Sequence, residues 1–551
     1  MPPGTQDLDG LLDGLLDRWL AEEVADSPVR ATALGLPGHD DQLGDFSAAA
    51  MSARDVRDSR WLAAIEAVAP EGLGFEHAID RDLLASHLRG RRIMQDWEVW
   101  RRDPATYLGP CLQGVFLLFL HRLDPDSDLV KHAGARLRAV PGVVAAAKHN
   151  LDAEVASPII VRRGAQQCQA AVRYARELVP AEVDDPRLRS QLAEAGEIAA
   201  AAFEDLRQYL DDLSGRAHGS YAIGEARYSA LLRERELLGY GAEGLRERGR
   251  QSSDELEVER AELATRIDPD TARQGGARAV LEKLNEDHPS TPEAMRAAYE
   301  RVTGEARAFL IEHGLVTLPD DERCLVQPSP PFQRPIMAVA SYAVPPPFRP
   351  GRLGHFFVPF PPDGAPESEV QQRLATNSFA SIPTIAAHEA YPGHHWHLTW
   401  MKANPRPLRK VVTTPYFIEG WGLYAERVMR EHGFFTDPRA ELAHLDARSF
   451  RAARIVVDTS LHLDELSFED AVEFMRTRAS LTEPTARAEV GRYCSWPTQA
   501  AAYLTGALEI ERIRAGYLAA GRGSLREFHD TIAGSGGLPI ALAERAVTGP
   551  E

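Results

Sequence analysis

A proline placed four residues after a histidine is the feature that most constrains how this chain can fold. The run Ile385–His397 contains a dense set of polar side chains: His388, Glu389, His394, His395 and His397. Pro392 donates no backbone hydrogen bond, and its ring clashes with the carbonyl four residues earlier, which belongs to His388. A helix that includes His388 and Glu389 must therefore open before His394.

The same run has the residue types of a zinc-hydrolase helix. In the usual motif two histidines four residues apart bind one ion, and the glutamate between them acts on water. On an unbroken helix His388 and His395 would stand roughly 10 Å apart along the axis, too far for one ion. If the Pro-Gly pair forms a two-residue bulge, His394 takes the second-ligand position. We predict His388 and His394 as ligands, His395 as the alternative, and Glu389 as general base.

A third ligand is expected in the run Phe417–Glu426, which holds Glu419 and Glu426 seven residues apart. The two carboxylates share a helix face but are too far apart to bind one ion. Glu419 follows His394 by 25 residues, which lets a second helix fold back, and the nearby glycines permit close approach. We predict Glu419 as the ligand. Glu426 and His395 are expected to support the ligands from behind.

Five strings carry a resemblance to a known family: HEAYPGHH (388–395), FIEGWGLYAE (417–426), RIVVDTSLH (454–462), RYCSWPTQAAAYLTG (492–506) and LREFHDTIAGSGGLPIALAE (525–544). The chain resembles, over nearly its whole length, a bacterial family known as domain of unknown function 885. This resemblance implies a mainly α, two-lobed fold with a cleft, similar to Taq-type metallocarboxypeptidases and more distantly to thimet oligopeptidase. Two positions depart from the family pattern, where Thr498 replaces a glycine and His397 replaces a glutamine.

Further site residues are expected towards the C-terminus. By the resemblance, Tyr503 is the first choice and Tyr493 the second for a hydroxyl that stabilises an oxyanion. His462 is predicted to donate to the substrate or to orient another ligand. Arg492 is predicted to hold a terminal carboxylate, with Gln499 also in the substrate site. The alternative for Arg492 is an ion pair with the preceding glutamate of its own helix.

Composition and charge bear on partners and compartment. The net charge is −19 and no basic run is dense, so nucleic acid is not an expected partner. The cysteines have no pairing or metal spacing, which suits a reducing compartment: Cys111, Cys168, Cys324 and Cys494. No signal peptide is recognised, and no apolar run approaches the ~20 residues that cross a bilayer. We expect a cytoplasmic protein without membrane contact, and leave a homodimer open.

Helical periodicity dominates the chain, with apolar faces at Leu8–Leu20 and Leu188–Leu213. Further helical patterns lie at 78–102, 159–178, 253–266, 291–313, 420–432, 466–478 and 500–519. The proline-rich segment 328–366 contains β-like runs at 336–342 and 355–359, which predict a small hairpin or short sheet near 330–360. Its edge is free to pair with an extended peptide. We expect one family-spanning unit, 1–551, with approximate lobes 1–300 (helical) and 301–551 (metal site).

The most direct interpretation is a metal-dependent hydrolase, with zinc, that cleaves a peptide or related amide bond in a short substrate. Glu389 would take a proton from the attacking water and pass it to the leaving amine. One alternative is an iron or manganese enzyme of small-molecule metabolism, because two histidines and a carboxylate also form the iron facial triad. The other is an inactive binding or scaffold protein that keeps a peptidase-like fold.

Overall fold

Helices form most of the chain, as the periodicity predicts. The computed structural model describes residues 7–331, 333–334, 339–479 and 481–550. They divide into a first unit, Met1–Ile223 with Pro346–Pro350, and a second unit, Gly224–Pro345 with Gly351–Glu551. This division falls earlier in the chain than the residue-300 boundary expected from the sequence.

The first unit is helical throughout its regular structure. Its helices are α1 Leu8–Asp26, α2 Pro28–Leu34, α3 Ala48–Glu66, α4 Phe75–Asp96, α5 Val99–Arg102, α6 Ala105–His121, α7 Asp126–Asn150, α8 Pro158–Arg173 and α9 Pro186–Arg216. The long helix α9 packs against α7 and α8. Its buried seam is rich in small residues, Ala195, Ala199 and Ala202 among them, which lets the neighbouring helices approach closely.

The second unit combines helices with one small sheet. Its helices are α10 Glu225–Ala230, α11 Ala242–Ile267, α12 Pro269–Leu284, α13 Pro292–His313, α14 Glu367–Ala375, α15 Ile382–Glu389, α16 His394–Met401, α17 Pro407–Val411, α18 Pro415–Glu431, α19 Pro438–His462, α20 Phe468–Arg478, α21 Glu483–Ser495, α22 Ala502–Ala519, α23 Leu525–Gly534 and α24 Ile540–Thr548. Within this unit α18 packs along α22, and α15 packs on α13, α18 and α19.

The sheet near 330–360 that the sequence predicts is confirmed, and it has three strands. These are β1 Glu322–Pro328, β2 Ser341–Ala343 and β3 Arg352–Val358, in the order β1-β3-β2. The pair β1/β3 is parallel and the pair β2/β3 is antiparallel, so the sheet is mixed and not a simple hairpin. The predicted β-like run 336–342 falls partly on residues 336–338, which lie outside the described residues.

The helix opening that Pro392 requires lies between α15 and α16. Helix α15 ends at Glu389, a four-residue connection follows, and α16 begins at His394. The interruption is therefore a complete break between two helices and not the two-residue bulge expected from the sequence. Gly393 occupies a position without room for a side chain, since a Cβ there would lie 1.8 Å from the carbonyl oxygen of His388.

Candidate metal centre

Three side chains from three helices of the second unit converge on one point. His388 lies at the end of α15, His394 at the start of α16 and Glu419 in the second turn of α18. Oε2 of Glu419 lies 3.7 Å from Nε2 of His388 and 3.4 Å from Nε2 of His394. The two imidazole rings stand almost perpendicular, with their centroids 4.7 Å apart. The structure thus brings together the three residues predicted as ligands.

These separations fit a divalent metal ion. Four ligands arranged tetrahedrally around zinc at Zn–N distances near 2 Å lie about 3.3 Å from one another. The measured spacings of 3.4 and 3.7 Å are close to that value. Two imidazole nitrogens and one carboxylate oxygen leave a fourth position for water or substrate, the arrangement of catalytic zinc sites. The donor set therefore suits zinc without rearrangement of the backbone.

The electrostatics of the cluster favour a cation. Burial alone would lower the pKa of His388, but its contacts with Glu419 and Glu426 raise it to about 10. Burial would raise the pKa of Glu419, yet hydrogen bonds from His388 and His394 hold that pKa well below its ordinary value. Positive charge is thus stabilised at this point, whether a proton or a metal ion supplies it.

A buried carboxylate orients the first imidazole. Nδ1 of His388 donates to Oε1 of Glu426 over 2.8 Å, which leaves Nε2 directed towards Glu419 and His394. The second oxygen of Glu426 accepts from the hydroxyl of Thr384 at 2.9 Å and from Nδ1 of His444 at 3.2 Å. This is the carboxylate–histidine arrangement that fixes the tautomer of a metal ligand. Glu426 occupies the supporting position that the sequence predicts.

Helix α18 also shapes the site through a glycine and a tryptophan. Gly422 lies against the ring of His388, and a Cβ there would come within 2.6 Å of Cε1. The indole Nε1 of Trp421 donates to the carbonyl of Pro392 at 2.8 Å and ties down the break between α15 and α16. A second glycine, Gly420, meets Gly506 of α22 in close contact. Gly422 thus permits the expected close approach of α18 to α15, whereas Gly420 serves the packing of α18 on α22.

Glu389 lies beside the cluster and is half-buried. Burial raises the pKa of its carboxyl above the ordinary value; the positive charges of His388 and His394 oppose the shift, and Glu419 adds to it. A carboxylate whose pKa is raised accepts a proton more readily near neutral pH, which is what a general base requires. This electrostatic environment suits Glu389 to the proton transfer predicted for it.

Tyr503, the first-choice tyrosine, lies near Glu419. It is half-buried in the first turn of α22. Burial raises the pKa of its hydroxyl, and the negative charge of Glu419 raises it further. The guanidinium of Arg454 lies 4.8 Å from the centre of its ring. A neutral hydroxyl near the third ligand is suited to donate a hydrogen bond to a developing oxyanion.

Three of the other predicted site residues bond to one another or to the carboxylate of Glu489. The hydroxyl of Tyr493 donates to Glu489 at 2.8 Å, and Arg492 pairs with the same Glu489 oxygen at 2.9 Å. Arg492 also donates to the side-chain oxygen of Gln499. The helix ion pair named as the alternative for Arg492 is therefore the arrangement found. The second-choice hydroxyl, Tyr493, is directed to Glu489 and not to the metal ligands.

Two predicted histidines face other partners. His395 is fully buried, and its Nε2 donates to Glu322 of β1 at 2.7 Å, while Tyr342 bonds to its Nδ1. Consecutive helical residues point about 100° apart, and His394 takes the side that faces Glu419. His395 therefore neither joins His388 and Glu419 nor supports them. His462 is also buried, and its Nε2 donates to the backbone carbonyl of Tyr493 at 3.0 Å. This contact favours a positioning role for His462.

Sequence reasoning missed Thr384 and His444, which hold Glu426. Thr384 lies one helical turn before His388, so the four-residue spacing was a signal for a polar neighbour on the same face. His444 lies on α19 and has no local signal, because only the packing of α15 and α18 on α19 brings it to Glu426. His397 packs against Phe417 and Trp421, with neither ring nitrogen bonded to a partner among the described residues.

Comparison with known proteins places these observations in a family. Residues 28–547 match the family described as "Bacterial protein of unknown function (DUF885)". A structure of a candidate lipoprotein of unknown function from Shewanella oneidensis is 19% identical, with a TM-score of 0.79, covering 99% of this chain and 100% of its own. A candidate lipoprotein from Colwellia psychrerythraea is 18% identical, with a TM-score of 0.81 and 98% of each chain covered. At these identities the likeness shows the fold alone.

Two further findings concern curated proteins and membrane-spanning helices. No curated protein matches this chain. In the described part of the chain, none of the helices has both the length and the apolar character needed to cross a bilayer. The expected cytoplasmic location stays a prediction.

Proposed function

The chain belongs to the bacterial family of unknown function DUF885, and we propose that it is a zinc-dependent hydrolase of a peptide or related amide bond in a short substrate. The observation that carries the proposal is the convergence of His388, His394 and Glu419, with near-tetrahedral spacing, beside Glu389. The fold similar to helical metallocarboxypeptidases, which the family resemblance implies, agrees with this donor set and belongs to the same proposal.

The residues of the site divide the chemistry between them. Zinc, when bound by the two imidazoles and Glu419, supplies the Lewis acidity that polarises a carbonyl and makes water acidic at neutral pH. Glu389 accepts the proton of the attacking water, for which its raised pKa suits it, and returns that proton to the leaving amine. Glu426 keeps Nδ1 of His388 protonated, so that Nε2 remains the metal-facing nitrogen.

Tyr503 contributes to the stabilisation of the reacting carbonyl. A tyrosine hydroxyl is protonated near neutral pH, and burial and Glu419 raise the pKa of this one further. A protonated hydroxyl donates a hydrogen bond to the oxygen that gains negative charge as water attacks. The side chains of the ligands are buried or at most a quarter exposed, which favours a narrow, extended substrate over a folded protein.

A mass-spectrometric assay tests the proposal. Zinc-loaded protein is incubated with a library of short peptides and N-acyl amino acids, and new masses are sought that correspond to amide hydrolysis. We expect cleavage by the wild-type protein, loss of cleavage in Glu389→Gln and His388→Ala, and retention in Glu431→Gln, which lies on α18 in a surface ion pair with Arg514. Absence of any cleavage, or equal cleavage by Glu389→Gln, would overturn the proposal.

A further inference from the structure

A second cluster of metal-binding side chains lies in the first unit and shares no residue with the candidate metal centre of the second. It consists of Asp40 in the connection between α2 and α3, Asp124 in the connection between α6 and α7, and His132 in the second turn of α7. One carboxylate oxygen of each aspartate and one ring nitrogen of His132 lie within 4.8 Å of one another. All three residues are half-buried, so solvent reaches the point where the three segments meet.

The carboxylate of Asp40 is held in place by buried partners. Its Oδ1 accepts from the hydroxyl of Thr32 on α2 at 2.5 Å, and Thr32 is itself buried. The hydroxyl oxygen of Thr32 accepts from Nη2 of Arg136 on α7 at 2.7 Å. The same guanidinium bonds the backbone on either side of Asp40, at the carbonyls of His39 and Gln42. The segment that carries Asp40 is therefore fixed against α7 by protein contacts alone.

Helical spacing on α7 brings the imidazole to the same place. His132 and Arg136 are four residues apart, so their side chains lie on one face of the helix. The guanidinium that fixes the Asp40 segment thus holds it on the face that carries His132. Asp124 comes to this face from the start of the helix, since it directly precedes Pro125, the N-cap of α7.

The donor set combines one imidazole with two carboxylates. Nδ1 of His132 is buried and has no hydrogen-bond partner among the residues that the structure describes. A neutral imidazole can offer a lone pair to a metal ion, and leaving a buried polar atom unbonded is costly. The two carboxylates repel each other at this separation, and the guanidinium of Arg136 offsets one of their two charges. A divalent cation among the three side chains would remove the remaining repulsion.

The spacing and the donor types favour a six-coordinate ion. Ligands of tetrahedral zinc lie about 3.3 Å apart, whereas an octahedral ion with bonds of about 2.2 Å holds opposite ligands about 4.4 Å apart. Separations of up to 4.8 Å suit the octahedral ion better. Carboxylate oxygens and water suit magnesium, calcium and manganese, and manganese is the transition metal among these three. The side open to solvent leaves room for water at the other positions.

We propose that Asp40, Asp124 and His132 form a second metal site, which binds manganese(II) and ties two connections of the first unit to α7. The site does not rest on the proposed hydrolase function, because the two share no residue. Its effect is on stability, since an ion that binds the folded protein and not the unfolded one raises the thermal midpoint.

Titration of manganese(II) into the full-length protein tests the site, with the free ion followed by its electron paramagnetic resonance signal. The background is His388→Ala, which removes a ligand of the candidate metal centre. We expect one manganese ion per chain in this background, bound at least about tenfold more weakly after His132→Ala or Asp124→Asn, because loss of even an indirect support costs that factor. The matched controls, His149→Ala and Asp128→Asn, change exposed residues of the same helix and should bind as the background does.

Pulsed electron paramagnetic resonance separates a ligand from a residue that only supports the fold. The bound ion should show modulation from one imidazole nitrogen, which His132→Ala removes and Asp124→Asn keeps at saturating manganese. The thermal midpoint should rise with manganese in the background and in both control variants. It should stay constant in His132→Ala.

The outcomes separate this site from the candidate metal centre. Binding that His132→Ala and Asp124→Asn leave unchanged would overturn the second site. So would binding by the wild-type protein that is lost both in His388→Ala and in a second background, Glu419→Gln, because the ion would then lie at the candidate metal centre. Absence of binding in every protein would also overturn it. Amide hydrolysis is measured with Glu389→Gln, so the failure of either proposal leaves the other standing.

Discussion

The imidazole of His388 lies against the backbone of Gly422, so closely that a Cβ on that glycine would stand 2.6 Å from Cε1 of the ring. One turn further along α18, Glu426 accepts the hydrogen bond from Nδ1 of the same ring. A single helix therefore sets both the position and the rotation of the first predicted ligand. The third predicted ligand, Glu419, lies on the same helix. The placement of α18 therefore fixes two of the three donor atoms, Nε2 of His388 and Oε2 of Glu419.

Gly422→Ala should displace the imidazole of His388. The added methyl group meets Cε1, Nε2 and Nδ1 of the ring at 2.6, 2.8 and 2.9 Å, which is closer than such contacts occur. We expect zinc affinity to fall by about tenfold or more, because loss of the contacts that orient a metal ligand typically lowers metal affinity by that factor. Competition with a chromophoric chelator measures the affinity.

The matched control for this substitution is Gly516→Ala in α22. A Cβ at Gly516 meets nothing within 4 Å, and alanine is favoured over glycine in a helix by about 1 kcal/mol. Gly516→Ala should therefore keep its zinc affinity and gain thermal stability. Equal zinc affinities for Gly422→Ala and the wild-type protein would show that His388 is not a ligand.

Glu426→Gln should weaken zinc binding without disrupting the fold. The amide oxygen can still accept from Nδ1 of His388, but the negative charge that makes the imidazole a better ligand is lost. Loss of such support typically lowers metal affinity by about 10- to 100-fold. The same chelator competition measures it, with Glu431→Gln as the control on the same helix. A variant that binds zinc as tightly as the wild-type protein would remove Glu426 from the account.

The protein should be more stable with glycine than with alanine at position 498. Its φ of 72° is a left-handed conformation that a β-branched residue rarely adopts. Its N–H donates to Asp458 and its carbonyl accepts from Tyr416, which hold the strained backbone in place. Thr498→Gly and Thr498→Ala both delete the buried hydroxyl and γ-methyl, so their difference reports the backbone strain less the packing of the one Cβ that alanine retains. We expect glycine to be favoured by about 1 kcal/mol in urea unfolding, and alanine being equal or better would contradict this.

Asp458 should make the stability of the protein fall as the pH rises towards neutrality. Burial raises the pKa of its carboxyl from 3.8 to about 7, although hydrogen bonds from Tyr228 and Thr498 oppose the shift. Because the folded pKa exceeds the unfolded one, its contribution is complete below pH 3.8 and is lost as the pH rises through about 7.

Asp458→Asn removes this titration. We expect the free energy of unfolding of the wild-type protein, relative to that of the variant, to fall by up to about 1.4 kcal/mol per pH unit across that window. Urea unfolding at several pH values compares the two proteins. Parallel pH profiles would show that the Asp458 carboxyl has the same pKa in the folded and unfolded states.

The sequence predicts those features of the site that depend on local spacing. The long helices follow from apolar periodicity, and the break after Glu389 follows from the missing N–H and the steric clash of Pro392. The choice of His394 over His395 follows from treating Pro392 and Gly393 as a two-residue bulge in one helix. The break between the two helices in fact spans four residues. The pairing of Arg492 with Glu489 is a three-residue helical spacing and was open to prediction.

Other features depend on packing between distant segments and leave no local signal. His444 reaches Glu426 from a separate helix, and Glu322 reaches His395 from a strand more than 70 residues earlier. The first contact is set by the packing of α15, α18 and α19, and the second by the approach of β1 to α16. Periodicity within one helix cannot supply either.

Anomalous diffraction at the zinc edge tests the central claim most directly. Crystals of protein purified without chelators, with metal content measured on the same sample, would locate any bound ion. We predict one zinc per chain, at about 2.0–2.2 Å from Nε2 of His388, Nε2 of His394 and a carboxylate oxygen of Glu419. Stoichiometric iron at that position, or zinc-loaded crystals without an anomalous peak among these three side chains, would contradict the account.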